Sequence, residues 1–131
     1  MINLTADHWL AIALGGSIGA VLRFWVIQTV QQQASTLIPI GTLAVNALGC
    51  FAMGLAFVYF SLKYAASFSI WQAFLAAGLL GALTTFSTFA IEVLQLFIHQ
   101  NLSSAVLYLF LNNVISIFAV FLGYWLGKSI F

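Results

Sequence analysis

The run Gly81-Ala-Leu-Thr-Thr-Phe-Ser-Thr-Phe89 holds four hydroxyls (Thr84, Thr85, Ser87, Thr88) and two phenyl rings (Phe86, Phe89) with no charge among them. It sits within a segment otherwise apolar enough to cross a bilayer. At that depth no water satisfies backbone or hydroxyl groups, so they pair within protein or line a pathway. Gly78 and Gly81 lie just upstream, and because glycine tolerates non-helical backbone they predict a break near the middle of the helix. Broken backbone with neutral hydroxyls around it is the chemistry of a small-ion site. Phe86 and Phe89, three residues apart, share a face if the segment is helical there. An aromatic ring is negative on its face and positive at its edge, so ring edges can hold a small, hard anion weakly while excluding water. Glu92 follows three residues later on the same face. As the only acidic side chain inside a predicted span it is either functional or an interfacial cap that pairs with Ser or Thr.

Other spans carry polar residues at the same depth. Thr42, Asn46, Gly49 and Met53 fall on one helical face. Tyr108, Asn112 and Ser116 recur every fourth residue and form a stripe of hydrogen-bond donors without fixed charge, which suits an anion that must bind and leave again. Asn113 points elsewhere, towards a bond with a neighbouring helix. Arg23 lies late in the first span, as a topology anchor or as an attractor of anions. Gly15 and Gly19 have the spacing that lets two helix backbones approach closely. Cys50, the single cysteine, reads as a small core residue.

These residues must be positioned by helices. The chain has 131 residues, 64% hydrophobic and 4% charged, which excludes a soluble globular domain. A crossing helix needs about 20 apolar residues, and the sequence predicts four: about 9–30, 40–62, 70–98 and 105–127, forming one all-α transmembrane domain over 1–131. Gln31 to Thr36 ends the first span, Pro39 starts the second, Lys63 to Ser69 connects the second to the third, and His99 to Ser104 makes the last turn. Met1 to Trp9 holds no basic residue and does not read as a cleavable signal. With four spans, Lys63 and Lys128 share one side and Arg23 belongs to the other. That bias is weak, and the chain could insert both ways up.

Gly15-Gly-Ser-Ile-Gly-Ala-Val-Leu-Arg23, Gly41-Thr-Leu-Ala-Val-Asn46 and Gly81–Phe89 together resemble the three signatures of the Fluc/CrcB fluoride channels, in order and over essentially the whole chain. The resemblance implies a dual-topology homodimer of antiparallel subunits in the bacterial cytoplasmic membrane, with two fluoride pores at the interface. Asn46, Phe86 and Phe89 would line each pore, the two rings as edge ligands. Thr42, Thr85, Ser87 and Thr88 would be nearby polar contacts, and Tyr108, Asn112 and Ser116 a polar track. Arg23 matches a vestibular arginine and Glu92 an acidic residue beside the pore. A central structural sodium ion would be held by the backbone carbonyls of Gly81 and Thr84 from both subunits, at the break in the third span.

Other classes fit less well. A small dual-topology multidrug exporter depends on a carboxylate in its first span, where this chain has Arg23. A non-conducting membrane subunit has little need of donors on three spans. Nothing forms a basic nucleic-acid surface, and no Cys, His and carboxylate cluster has metal-ligand spacing. No nucleophile stands beside a base, so the chain does not read as an enzyme.

Overall fold

The computed structural model describes residues 4–64 and 68–131. The expected 63–69 connection therefore lies partly outside the described residues, as does the start of the Met1–Trp9 segment. Four segments are long and apolar enough to cross a membrane: Ala6–Gln33, Ile40–Lys63, Ile70–His99 and Leu102–Ile130. We label the first two α1 and α2, the two parts of the third α3 (70–83) and α4 (Phe86–His99), and the last α5 (Leu102–Ile130). The first and last run about a turn beyond the stretches that hydropathy marks. Apolar counting finds only the part inside hydrocarbon, whereas the helices continue until polar caps stop them. At the start of α1 the His8 Nδ1 accepts the Thr5 N–H at 3.3 Å. At the start of α5 the Asn101 Oδ1 accepts the Ser104 N–H at 2.8 Å.

Packing follows the small residues. α1 lies along α3, and α2 along α5. A Cβ built on Gly15 would come within 2.1 Å of the Phe74 carbonyl oxygen, and one on Gly19 within 2.2 Å of that of Leu79. Gly54 and Gly123 likewise let α2 and α5 touch backbone to backbone, their built Cβ atoms falling 2.2 Å from Val120 O and 2.1 Å from Phe51 O. Such approach replaces the hydrophobic drive that lipid removes with close van der Waals contact.

The third span is where helical geometry varies. Residues Ala73–Leu80 have wide π-helical bonding, and Gly81–Leu83 return to α. Thr84 and Thr85 then leave the helix, with φ/ψ of −77°/152° and −150°/120°, before α4 begins at Phe86. The span nonetheless bends by only 9°. Gly78 and Gly81 are not where the backbone departs. Gly81 has φ/ψ of −63°/−35°, and Gly78 faces α1, where a Cβ would come within 2.8 Å of the Ile12 carbonyl oxygen. Gly78 serves helix packing, a Cβ on Gly81 would meet only the Ala76 carbonyl of its own span at 3.5 Å, and the departure falls on the threonines.

Candidate functional site around Thr85

The departure is stabilised by side chains acting in place of helical partners. The Asn46 Oδ1 accepts the Thr85 N–H at 2.8 Å, and the Asn46 Nδ2 donates to the Thr85 carbonyl at 3.2 Å. A backbone N–H can only donate and a carbonyl only accept, so these two bonds fix which way the Asn46 amide faces. Its second N–H donates to the Asn112 Oδ1 at 3.1 Å, which orients that amide in turn. Thr85 also caps α4: its Oγ1 accepts the Thr88 N–H at 3.2 Å and bonds the Thr88 hydroxyl at 3.0 Å. The Ser87 hydroxyl stands 3.4 Å from the same oxygen, while the Thr84 hydroxyl donates back to the Leu80 carbonyl at 3.1 Å. Much of the hydroxyl cluster is therefore an N-cap, legible as Thr85 standing just before the apolar period Phe89, Val93, Leu96.

Two carbonyls lose their usual donors as a result. In a continuous helix Thr85 N–H would bond Gly81 O, and Thr88 N–H would bond Thr84 O. The first is diverted to Asn46 and the second to Thr85 Oγ1. Gly81 is exposed on the isolated chain and Thr84 partly so. Gly49 leaves the space for this arrangement, since a Cβ there would meet the Thr84 methyl at 2.4 Å.

A second network lies about two turns further along. Thr42 Oγ1 donates to Glu92 Oε1 and Tyr108 OH donates to Glu92 Oε2, each at 2.7 Å. Thr42 and Tyr108 are fully buried, so α2, α4 and α5 are tied through one carboxylate. Beside it the rings run edge to face. Phe86 and Phe89 have centroids 5.5 Å apart at 66°, and Phe89 and Tyr108 are 5.4 Å apart at 61°. Phe89 is 3% exposed and Phe86 75%. One ring is thus anchored in the chain and the other projects from it.

Beside the Asn46–Thr85–Asn112 network, on the side away from Glu92, opens a cleft of about 220 Å³, lined by Asn46, Cys50, Thr85, Phe86, Asn112 and Ser116 among others. The Ser116 hydroxyl is buried there without a hydrogen-bond partner among the described residues. The Asn112 Nδ2 likewise has no acceptor among them, its amide oxygen being held by Asn46. Two uncharged donors therefore remain unspent on the expected stripe. Cys50 is only half-buried and lines this cleft, a position that its apolar neighbours in sequence do not reveal. A larger cleft of about 450 Å³, between Asp7, Leu10, Leu14 and Trp71, is almost wholly apolar and offers an anion nothing.

Two polar residues stand outside these hydrogen-bond networks. Asn113 is exposed at the edge of the same cleft and donates to Leu109 O of its own helix at 2.7 Å, not to a neighbour. One position from Asn112 turns the side chain by about 100° away from the packed face. Arg23 is partly buried on α1, which packs on α2 and α3 instead of on the ring-bearing α4. No protein hydrogen bond or ion pair holds it among the described residues.

A protein-family model described as "CrcB-like protein, Camphor Resistance (CrcB)" matches residues 10–124. Among curated proteins, the "Fluoride-specific ion channel FluC" of Aquifex aeolicus (strain VF5) is 42% identical over 120 residues, covering 92% of this chain and 96% of its own. That of Shewanella pealeana is 46% identical over 126 residues, covering 95% and 99%. That of Chelativorans sp. is 40% identical over 123 residues, covering 94% and 98%.

Proposed function

The chain belongs to the CrcB family of fluoride-specific ion channels, and from that premise we propose how its residues conduct. The protein is a multi-pass bacterial membrane channel, not an enzyme, and it lets fluoride leave the cell passively. In acid surroundings fluoride enters as neutral HF and dissociates inside. A channel driven by membrane potential relieves that trap without spending ATP.

The observation that carries the pore assignment is the line from the projecting Phe86, through the anchored Phe89, to Tyr108 and the Thr42–Glu92 pair. Fluoride moves along ring edges and neutral donors: Phe86 and Phe89 as edge ligands, Tyr108, Asn112 and Ser116 as the track, Asn46 at its wall. Thr42, Thr85, Ser87 and Thr88 shape the polar lining. Arg23 raises the local anion concentration at the vestibule, and Glu92 sits beside the pore as a gate held by its two donors. Neutral donors suit conduction because an anion bound by a fixed positive charge would leave slowly.

Phe86 is so exposed that a second copy of the chain is the natural partner for its ring. Two antiparallel copies forming an interface with two pores fit the nearly balanced charge of Lys63 and Lys128 against Arg23. The third span acts as a broken helix in the chemical sense, since its carbonyls are released although its axis hardly turns. Gly81 O and Thr84 O, with their helical donors diverted, fit a structural Na⁺. Hard cations take oxygen ligands, and unwound carbonyls at membrane depth supply them. When bound, the ion would bridge the two copies. The cytoplasmic membrane is the site where such export serves resistance.

Fluoride efflux from liposomes holding the purified protein, with valinomycin clamping the potential and chloride as comparison ion, tests this reading. Rapid fluoride efflux with negligible chloride is expected. A folded protein that releases neither ion would overturn it.

A further inference from the structure

We infer that Asn46 is the positioning residue of the carbonyl cation site: its amide oxygen, by taking the Thr85 N–H, is what keeps Gly81 O free. This inference rests on the proposal that a cation binds Gly81 O and Thr84 O. The geometry is specific. Asn46 is 6% exposed on α2 and presents an acceptor and a donor side by side to the N–H and C=O of one residue, Thr85. That is the pairing a neighbouring strand would offer, supplied here by a side chain. Without it Thr85 N–H has two options inside the bilayer, to stay unsatisfied or to return to Gly81 O four residues back. The first is costly in hydrocarbon, so the helix would close over the carbonyl.

The second carbonyl has its own, local device. Thr88 N–H is held by Thr85 Oγ1, within the same turn, and does not need α2. The two ligands are therefore freed by different residues, and only the Gly81 half depends on Asn46. The Asn46–Asn112 bond makes the amide rigid but contributes no acceptor to Thr85. The bond to Thr85 and the bond to Asn112 are thus separable by substitution. Asn46→Ala has no acceptor for the Thr85 N–H, whereas Asn112→Leu leaves that bond in place.

The test is equilibrium binding of ²²Na⁺ to the purified full-length protein in detergent, alongside Na⁺-dependent thermal stabilisation against N-methyl-D-glucamine. Wild type is expected to bind the ion and be stabilised by it. Asn46→Ala should lose both, and Asn112→Leu should keep both because the Thr85 bond is untouched. A ¹³C label on the Gly81 carbonyl reports on the diversion directly, since its amide I band should move to lower wavenumber in Asn46→Ala as that carbonyl takes up the Thr85 N–H. An unshifted Gly81 band together with intact Na⁺ binding in folded Asn46→Ala would overturn the inference. Should Asn46→Ala not fold, the near-isosteric Asn46→Leu against Asn112→Leu makes the same comparison. If wild type itself binds no Na⁺, the cation reading fails, which is a different result from wild-type binding that survives Asn46→Ala.

Discussion

Replacing either ring by isoleucine should stop fluoride, but the two substitutions should differ in what they do to the fold. Phe89 is buried and makes two edge-to-face contacts, with Phe86 and with Tyr108. Phe86 makes only the first and is 75% exposed on the isolated chain. Lipid is as apolar as the ring, so transfer from water contributes nothing and the cost is lost packing. An aromatic pair is worth about 0.5–1.5 kcal/mol beyond area burial. Phe89→Ile therefore forfeits about 1–3 kcal/mol, together with a term for imperfect filling of its site. Phe86→Ile forfeits at most about 1.5 kcal/mol within the subunit. At 1.4 kcal/mol per factor of ten, Phe89→Ile should shift the unfolding equilibrium roughly 5- to 150-fold. Unfolding by SDS in mixed micelles measures the cost, and liposome efflux at protein concentrations where both variants are folded measures function. Equal destabilisation would refute the anchored-and-projecting assignment. Normal fluoride flux in either folded variant would refute the role of the rings.

Gly123→Ala should destabilise the fold by about 1–3 kcal/mol, since its methyl meets backbone 2.1 Å away, whereas Gly16→Ala, whose nearest such atom is 4.0 Å off, should be nearly neutral. The same micelle titration compares them. Tyr108→Phe deletes one of the two donors on Glu92 and should cost about 0.6–1.7 kcal/mol, from the average to the largest value measured for hydrogen bonds between membrane helices. A double cycle with Thr42→Val should show coupling through the shared carboxylate, and strict additivity would argue against it. Arg23→Gln should leave stability nearly unchanged but lower fluoride flux more at low ionic strength than at high, because salt screens an electrostatic attractor over about 10 Å at 0.1 M. Efflux measured at two salt concentrations decides this.

Four spans were legible in the sequence because apolar length is a one-dimensional signal, and so was the stripe Tyr108, Asn112, Ser116, because helical periodicity places it on one face. The resemblance to fluoride channels likewise lies in short contiguous motifs, such as the one from Gly81 to Phe89. Which groups those motifs satisfy was decided only in three dimensions. Asn46 and Thr85 are thirty-nine residues apart, and no local rule shows that one side chain replaces the helical partner of the other. Gly78 and Gly81 pointed to a weak helix, yet Gly78 stays helical in close contact with α1, and Thr85 departs because Asn46 on α2 offers it partners. Glu92 could be read as gate or cap from sequence alone. Its two bonds, to Thr42 on α2 and Tyr108 on α5, exist because packing brings three helices within hydrogen-bond reach of one carboxylate. The sequence by itself determined how many helices cross and which polar residues they carry. Tertiary structure decided which of those residues are spent on one another and which donors, at Asn112 and Ser116, remain free.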